Sequence, residues 1–352
     1  MEAIPNYPRI AKIVKIKKTG ISEEVSMTVN VKISATGHYV PKRVVDNFEL
    51  SKIMDTSDEW IQTHTGIQTR HYAMNDEDTS DLCTQVAQQL LEKSGLQAAD
   101  IDLILVSTIT PDSLTPATAC IVQDKIGAKN AFAMDISAAC AGFVFGLSTA
   151  EKFLRTGRYH NAMVISGETN SKMMDFTDRT AAVFFGDGAG GALLEVTENS
   201  NEEFLIDEKL QSVGSEHQTI HSGRVQPIKE IAATNYPKMD AFFQDGRSVF
   251  TFATEKVPVQ MQHILAKNHL DATTIDAVIC HQANLRIIEK ISQTLGIPMQ
   301  KFPVNVVQYG NTSSAGIPMA LDQLKRDAQA PKKILLTGFG AGLDYASMLI
   351  NF

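Results

Sequence analysis

The sequence predicts an α/β protein that consists of two similar halves. Strand and helix patterns alternate along the first half, which is typical of a substantially parallel sheet. Residues 101–106 (IDLILV) resemble residues 275–280 (IDAVIC). The matching segments 140–143 (CAGF) and 314–317 (SAGI) begin 39 residues after the start of each. We therefore predict a duplicated unit whose halves pack about a pseudo-twofold axis.

The elements of the first half follow from hydrophobic periodicity and from helix-end signals. We predict a helix over residues 80–92 that starts at Thr79 or Ser80 and stops near Gly95. The next predicted elements are a buried strand (101–106), a helix (118–126), a strand (131–136), a helix (140–154), a strand (162–166), and two strands (183–196) joined by the glycine-rich turn 186–191.

The repeat also predicts the domain organisation. Residues 29–200 form the first half and residues 201–352 the second, and the polar segment 197–203 joins them. Residues 1–28 are expected to be a poorly ordered N-terminal extension, because four lysines interrupt a short Ile/Val segment. Strand-like sequence begins just after Met27, which makes this methionine an alternative start of the chain.

The composition argues against several classes of protein. The chain has 352 residues, of which 43% are hydrophobic and 20% charged, as in ordinary globular proteins. It contains no apolar run of the ~18 residues that a membrane span needs, and its net charge of −8 gives no reason to expect nucleic acid. Four cysteines without a CxxC pair predict neither a disulfide framework nor a metal site. We expect a cytoplasmic protein with free thiols.

Cys140 is the first candidate for chemistry. An apolar strand stops at Ile136, small residues turn the chain, and a helix is predicted to begin at the cysteine. A helix N-terminus stabilises a thiolate, which is the nucleophilic form, through its partial positive charge and its free N–H groups. Cys83, Cys120 and Cys280 lie within helix or strand patterns and are interpreted as packing residues.

Two further candidates come from the second half. His281 follows the strand at 275–280, and a histidine at a strand end is placed to reach a cleft. Asn311 lies beside the Ser314 helix that mirrors the Cys140 helix, so it is expected to face the same seam between the halves. The structural alternatives are a loop histidine bonded to backbone and an asparagine that caps a helix or forms a turn.

Cysteine, histidine and asparagine together fit two chemistries. In amide hydrolysis the histidine is the base for a cysteine nucleophile, and the asparagine orients the histidine. In acyl transfer followed by carbon–carbon bond formation, a thiolate takes up the acyl group and two neutral donors hold an enolate oxygen. The three residue types alone leave both possibilities open.

Short blocks along the chain resemble one known family. In order they are 57–61 (SDEWI), 65–67 (TGI), 138–143 (AACAGF), 185–190 (FGDGAG), 245–247 (DGR), 281–286 (HQANLR), 310–313 (GNTS) and 338–340 (GFG). With them the chain resembles the β-ketoacyl-acyl-carrier-protein synthase III family of the thiolase-like superfamily, from Val29 to Phe352. The resemblance implies a thiolase-like fold with a layered αβαβα core. The local signature of cysteine proteases around the nucleophile is absent.

The resemblance implies a reaction in two stages. Cys140 takes the acyl group of an acyl-CoA primer, and malonyl-acyl-carrier protein then loses CO2 and condenses with that group. His281 and Asn311 hold the thioester carbonyl during decarboxylation, while the backbone N–H groups of Cys140 and Ala341 hold the acyl oxyanion. Ala341 stands where the family usually has glycine. We expect a homodimer that starts fatty-acid synthesis, uses acyl-CoA and acyl carrier protein, and has no permanently bound cofactor.

The resemblance also assigns contacts for CoA. Trp60 and Arg179 match residues that sandwich the adenine ring, and Asn284 matches a residue near the pantetheine arm. His64 lies where relatives commonly have an arginine for a CoA phosphate. A neutral histidine binds phosphate less strongly, which predicts a lower or more pH-dependent affinity for CoA.

Three further residues receive roles from the resemblance. Arg286 matches a basic residue that docks the acidic carrier protein, and Phe339 is assigned to the acyl pocket. Thr115 replaces an aromatic residue of many relatives and is expected to reach the partner's acyl pocket across a dimer interface. The smaller side chain predicts a roomier pocket and tolerance of primers beyond acetyl-CoA.

Alternative functions remain at this point. A condensing enzyme of polyketide or quinolone biosynthesis would share the residues described. A hydroxymethylglutaryl-CoA synthase is disfavoured, because its catalytic acidic residue has no evident counterpart beside Cys140. A non-catalytic acyl-CoA-binding protein would tolerate loss of Cys140. A thioesterase would release free acid, without CO2 from malonyl substrates.

Overall fold

The computed structural model describes residues 29–224, 239–326 and 332–352. The predicted N-terminal extension, with Met27, lies outside these residues. In the described part of the chain, no helix has both the length and the apolar character that a membrane span requires.

Helices and strands alternate along most of the chain. The strands are β1 Asn30–Tyr39, β2 Arg43–Asp46, β3 Thr69–Tyr72, β4 Leu103–Ser107, β5 Phe132–Ile136, β6 Asn161–Glu168, β7 Gly188–Thr197, β8 Leu205–Ser212, β9 Ile220–His221, β10 Phe243–Gln244, β11 Ala277–Cys280, β12 Lys333–Gly340 and β13 Asp344–Asn351. The helices are α1 Asn47–Ser51, α2 Asp58–Thr65, α3 Thr79–Ser94, α4 Thr118–Ile126, α5 Gly142–Arg155, α6 Arg179–Ala182, α7 Gly246–Thr251, α8 Val257–Lys267, α9 Leu285–Leu295, α10 Val306–Tyr309 and α11 Gly316–Arg326.

Two main sheets repeat the same topology. The first has the strand order β1-β7-β6-β4-β5. The second, given in the matching direction, has the order β8-β13-β12-β11 and has no strand in the position of β5. The pairs β4–β6 and β11–β12 are parallel, and the next two pairings in each sheet are antiparallel. The equivalent strands β4 and β11 begin 174 residues apart, at Leu103 and Ala277, and α5 and α11 share this offset. The predicted duplication of an α/β unit is confirmed.

Hydrophobic layers separate five layers of secondary structure. α5 and α11 lie between the two sheets, where they pack against Leu103 and Leu105 of β4 and against Ile279 of β11. The opposite face of β4 packs against α3 and α4, and the opposite face of β11, with Val278, packs against α8 and α9. Because the central strands are covered on both faces, they are apolar on both faces. This is the predicted αβαβα core.

The chain passes from the first sheet to the second between Thr197 and Leu205. This change of sheet begins at the polar segment where the sequence places the joint between the halves. The central hydrophobic layer contains side chains from both sheets. The division into residues 29–200 and 201–352 therefore remains a prediction about domains that share one core.

The glycine-rich segment 186–191 is not a turn between two strands, so that prediction is wrong. β7 is a single strand that begins at Gly188, and the residues before it contribute only one bridge, between Phe185 and Asn311. A Cβ on Gly190 would lie 2.8 Å from the backbone N of Met319 in α11. Gly188 and Gly190 lie within the strand where α11 of the other half approaches it closely, through Met319.

Candidate active site

One cavity brings together candidate residues from both halves. Cys140 follows the carboxyl end of β5, His281 follows that of β11, and Asn311 lies between α10 and α11. All three line one cavity that is partly open to solvent. Ligands of open α/β sheets bind at the carboxyl ends of the strands, so this cavity is the candidate active site.

Cys140 lies in a short 3₁₀ turn rather than in the first turn of α5. The 3₁₀ turn spans Ala139–Ala141 and α5 begins at Gly142, so the predicted helix start is two residues too early. Ala139 has φ of 43°, in the left-handed region that residues with a side chain rarely adopt. A Cβ on Gly142 would lie 1.8 Å from Oγ of Ser107. Close packing therefore explains why residues next to the cysteine are small.

Burial controls the ionisation of the Cys140 thiol. Removal from water raises the pKa of Cys140 to about 12, while the Ser313 hydroxyl, with Sγ and Oγ 3.4 Å apart, favours the thiolate. The expectation that the helix start keeps this sulfur ionised is therefore wrong for the free protein. The thiol carries its proton at neutral pH, because desolvation of the charge outweighs the favourable groups.

His281 is a buried, neutral imidazole. Its backbone N–H donates to the carbonyl oxygen of Thr337 at 2.8 Å, and its ring stands edge-on to Phe339, with the centroids 5.1 Å apart. Burial lowers the pKa of His281 to about 3, and a hydrogen bond to the backbone of Ser313 acts in the opposite direction. Its Nδ1 has no hydrogen-bond partner among the described residues. The neutral ring can donate one hydrogen bond to a ligand.

Asn311 is fixed by both its backbone and its side chain. Its backbone N–H donates to the carbonyl oxygen of Phe184 at 2.8 Å, and its carbonyl oxygen accepts from Gly186 at 3.1 Å. Its side-chain Oδ1 accepts from the backbone N–H of Ser313 at 2.8 Å. Because Oδ1 is engaged, the Nδ2 hydrogens are the donors that the side chain offers to a ligand.

The end of β12 lies directly against Cys140. A Cβ on Gly340 would be 2.7 Å from the backbone N of Cys140 and 3.0 Å from its Cβ. The neighbours Phe339 and Ala341 both line the cavity. Only glycine at position 340 permits this approach of the end of β12 to Cys140.

Replacing Gly340 with alanine is expected to push this turn away from Cys140. The nearest atoms belong to backbone and Cβ, which cannot swing aside, and overpacking of this kind costs about 1–3 kcal/mol. We expect a lower thermal unfolding midpoint and slower alkylation of Cys140 by iodoacetamide. Gly246→Ala is the control, because a Cβ there meets no heavy atom within 4 Å. Equal effects of the two substitutions would contradict the prediction.

Three residues assigned to CoA form a separate surface cluster. Trp60 and His64 of α2 stack with their ring centroids 4.4 Å apart, and the Arg179 guanidinium lies 5.3 Å from the Trp60 ring centroid. His64 Nδ1 lies 2.7 Å from the carbonyl oxygen of Trp60. Stacked rings need centroid separations of 4.5–7 Å on each side. Arg179 therefore has to move before a flat ring can enter between it and Trp60.

Asn284 and Arg286 lie at the start of α9. Oδ1 of Asn284 accepts from the backbone N–H of Ile287 at 3.0 Å, which is the geometry of a helix cap. The Arg286 guanidinium donates to the backbone carbonyls of Thr63 and Gln62 at the end of α2, and it pairs with the carboxylate of residue 289 on its own helix. Arg286 thus connects α9 to α2, the helix that carries Trp60 and His64.

Thr115 does not line the cavity of its own chain. It is exposed in the loop between β4 and α4, beside Leu114, which is 78% exposed. Its assignment to the acyl pocket of a partner subunit stays a prediction.

Sequence reasoning missed several residues around the cavity. Ser313, which contacts the thiol, was hidden in a run of small polar residues. With the 174-residue offset between the two halves, Ser313 is the counterpart of Ala139 in the second half. Both residues have a positive φ, of 52° for Ser313 and 43° for Ala139. The paired strands β9 and β10 also contribute His221 and Gln244 to the cavity lining, and these two-residue strands are too short to show a periodic pattern in the sequence.

The positions of His, Cys, Asp and Glu side chains bear on metal binding. Among residues 29–224, 239–326 and 332–352, no group of three or more His, Cys, Asp or Glu side chains has the arrangement needed to hold a metal ion.

Known proteins with similar sequences share one description. The family model for 3-oxoacyl-[acyl-carrier-protein] synthase III matches residues 134–214, and the model of its C-terminal part matches residues 265–352. β-Ketoacyl-[acyl-carrier-protein] synthase III 1 of Lactiplantibacillus plantarum is 67% identical over 325 residues, which cover 92% of this chain and 100% of the relative.

Solved structures agree with the sequence relatives. The 3-oxoacyl-[acyl-carrier-protein] synthase III of Aquifex aeolicus superposes with a TM-score of 0.83 at 36% identity, over 92% of this chain and 100% of that one. The priming β-ketosynthase of the R1128 polyketide pathway has a TM-score of 0.84 at 32% identity, over 92% and 96%. The chain belongs to the 3-oxoacyl-[acyl-carrier-protein] synthase III family of decarboxylating condensing acyltransferases.

Proposed function

We propose that Cys140, His281 and Asn311 are the residues with which this enzyme starts fatty-acid synthesis. An acyl-CoA primer acylates Cys140 and releases CoA, and malonyl-acyl-carrier protein is then decarboxylated and condensed to β-ketoacyl-carrier protein. The observation that carries the proposal is that one thiol and two neutral hydrogen-bond donors, from different halves of the chain, line one cavity.

In the first stage, Cys140 attacks the thioester carbonyl of the primer. Charge develops on the carbonyl oxygen, and the backbone N–H groups of Cys140 and Ala341 are the proposed donors to it. The close approach of Gly340 to Cys140 supports this pairing. Loss of one such donor typically costs about 2.7–4 kcal/mol of transition-state stabilisation.

In the second stage, loss of CO2 from the malonyl thioester leaves an enolate. The neutral imidazole of His281 and the Nδ2 group of Asn311 donate to its oxygen. Burial favours this role for the histidine, because burial keeps the ring uncharged, and a neutral donor stabilises the enolate without giving up its proton. The enolate carbon then attacks the acyl group on Cys140.

The surface cluster of Trp60, His64 and Arg179 is the proposed CoA site, with Asn284 near the pantetheine arm. Arg179 moves to admit the adenine ring between its guanidinium and Trp60. His64 supplies a weaker phosphate contact than an arginine would. The neighbouring surface at Arg286 is the proposed dock for the acidic carrier protein.

The acyl chain of the primer occupies the apolar part of the cavity, against Phe339. Thr115 reaches the corresponding pocket of the second subunit in a homodimer. The reaction needs no permanently bound cofactor, because the acyl group travels on CoA, on Cys140 and on carrier protein in turn. We place this activity in the cytoplasm.

Fatty-acid initiation is favoured over a role in polyketide or quinolone biosynthesis. The relative from Lactiplantibacillus plantarum is 67% identical, whereas the polyketide priming ketosynthase is 32% identical. A fatty-acid initiation enzyme and a polyketide or quinolone enzyme would share the chemistry of the site. The two would differ in the substrates that they accept.

Incubation with acetyl-CoA and malonyl-carrier protein tests the proposed function. We expect an acetyl adduct on Cys140 by intact mass, release of CO2, and a carrier protein that bears an acetoacetyl group. Free acetate without CO2 would indicate a thioesterase instead. An adduct on another residue would contradict the role of Cys140.

A further inference from the structure

A hydroxyl group from the second half of the chain contacts the nucleophile of the first half. Oγ of Ser313 lies 3.4 Å from Sγ of Cys140, which is within hydrogen-bonding reach of a sulfur atom. Ser313 is fully buried. In the described part of the chain, no other side chain forms a hydrogen bond with this sulfur. The Ser313 hydroxyl is therefore the side-chain group that meets the reacting atom directly.

The backbone of Ser313 has a conformation that favours glycine. Ser313 begins the 3₁₀ turn Ser313–Ala315 with a φ of 52°, and a residue with a Cβ is strained in this left-handed region. Its backbone N–H donates to Oδ1 of Asn311 at 2.8 Å, but glycine would supply the same N–H. What serine adds at this position is its hydroxyl, which is placed against the thiol. Strain retained for the sake of one side-chain group indicates that the group has a function.

The hydrogen bond between the two side chains has a fixed direction once the sulfur is charged. In the neutral pair, either the thiol or the hydroxyl can donate. A thiolate has no proton to donate, so the Ser313 hydroxyl is then the donor. Hydrogen bonds to an ionised partner are about twice as strong as bonds between neutral groups. The contact therefore stabilises the charged sulfur more than the neutral thiol, and an interaction that strengthens as charge develops accelerates a reaction.

We propose that Ser313 is a further catalytic residue, whose hydroxyl donates a hydrogen bond to the Cys140 sulfur whenever that sulfur carries negative charge. The proposal rests on the proposed role of Cys140 as the nucleophile. The charge arises twice in a reaction cycle. It arises when the sulfur attacks the primer, and again when the acyl group leaves the sulfur after condensation. His281 and Asn311 act between these two events, on the enolate oxygen.

Atoms and protons balance while Ser313 keeps its own proton. The thiol proton of Cys140 passes to water at the open side of the cavity, and the thiolate forms a bond to the acyl carbon. The bond from that carbon to the CoA sulfur breaks, and the CoA thiolate takes a proton from water. In the second stage the enolate carbon attacks the acyl carbon, and the bond from that carbon to Sγ breaks. The released thiolate then takes a proton from water.

Ser313→Ala removes the donor and provides the first test. We expect alkylation of Cys140 by iodoacetamide at pH 7.5 to fall about 10–100-fold, as for loss of a hydrogen bond to a charged group. Acylation by acetyl-CoA should fall by a similar factor. Alkylation is followed on the Cys140 peptide by mass spectrometry, because Cys120 is also exposed to the reagent. Wild-type rates in this variant would overturn the proposal.

Ser313→Gly separates the hydroxyl from the backbone. Glycine adopts a φ of 52° without strain and retains the N–H that donates to Asn311. If the hydroxyl is responsible, the glycine and alanine variants should lose the same factor in alkylation and in acylation. Wild-type rates in Ser313→Gly, together with slow rates in Ser313→Ala, would show that backbone conformation is the cause and would overturn the proposal.

The second stage provides a measurement that a disturbed turn would change. After long incubation with acetyl-CoA, the acetylated variants receive malonyl-carrier protein, and CO2 release is timed. We expect rates within a few-fold of wild type, because the N–H that fixes Asn311 is retained. A loss of CO2 release equal to the loss of acylation would indicate a structural role and overturn the proposal.

Ser347→Ala is the matched control for the serine substitutions. Ser347 is also fully buried, and its hydroxyl contacts that of Thr337 at 3.1 Å rather than the thiol. Its alkylation and acylation should match the wild type, and losses equal to those of Ser313→Ala would overturn the proposal.

The wild-type protein keeps the proposed function and the role of Ser313 apart. Absence of an acetyl adduct on wild-type Cys140 would refute the proposed function and, with it, the catalytic role of Ser313. A normal adduct on the wild type, with unimpaired alkylation and acylation of both Ser313 variants, would refute the role of Ser313 alone.

Discussion

Replacing Cys140 with serine is expected to lower acyl transfer from acetyl-CoA to the protein by at least about 10⁴-fold, as for loss of a catalytic nucleophile. A serine hydroxyl is far less ionised than a thiol at neutral pH and is a weaker nucleophile. The loss should be visible by intact mass after timed quenching, because the acetyl adduct stays on the protein.

Cys120→Ser is the control for this prediction. Cys120 is exposed on α4, so the prediction that it is a packing residue is wrong. Its Sγ lies 3.7 Å from the carbonyl oxygen of Ala133, and it does not line the cavity. We expect wild-type acylation in this variant. An acetyl adduct that forms on the Cys140→Ser protein at the wild-type rate would show that another residue is the nucleophile.

His281→Ala and Asn311→Ala are expected to separate the two stages of the reaction. Each substitution removes one donor to the enolate oxygen, so each should slow decarboxylation of malonyl-carrier protein by about 10²–10³-fold. Acylation of Cys140 should stay within a few-fold of wild type, because that step uses other donors. The measurements are CO2 release and the mass of the acyl-protein.

A histidine outside the cavity supplies the comparison. His263 is exposed on α8, and His263→Ala should leave both stages unchanged. Normal condensation in His281→Ala or in Asn311→Ala would refute the role of that residue. A variant that loses acylation and decarboxylation together would instead point to a disturbed cavity.

Local signals predicted most elements of the fold. The helix predicted over residues 118–126 coincides with α4, because Gly127 takes the left-handed conformation that ends a helix. The buried strands could be predicted from the sequence, because a strand that is covered on both faces is a continuous apolar run. The role of Gly188 and Gly190 was predicted wrongly, because these positions are small where the strand contacts Met319 of α11, which is distant in sequence.

In the candidate site, too, some residues could be identified from the sequence and others could not. Cys140, His281 and Asn311 could be selected because each follows a recognisable strand or turn and because the chain resembles one family. Ser313 could not be selected, since a serine in a run of small polar residues has no distinctive local pattern, and its contact with the thiol joins residues from the two halves of the chain.

The sequence by itself determined the duplicated α/β pattern, the family and the three residues at the seam, because periodicity, spacing and motifs are properties of the chain alone. Only the tertiary structure decided the charge of Cys140. The helix start beside it favours a thiolate, but burial by both halves raises the pKa to about 12. Desolvation depends on atoms brought together from distant parts of the chain, and no local pattern records it.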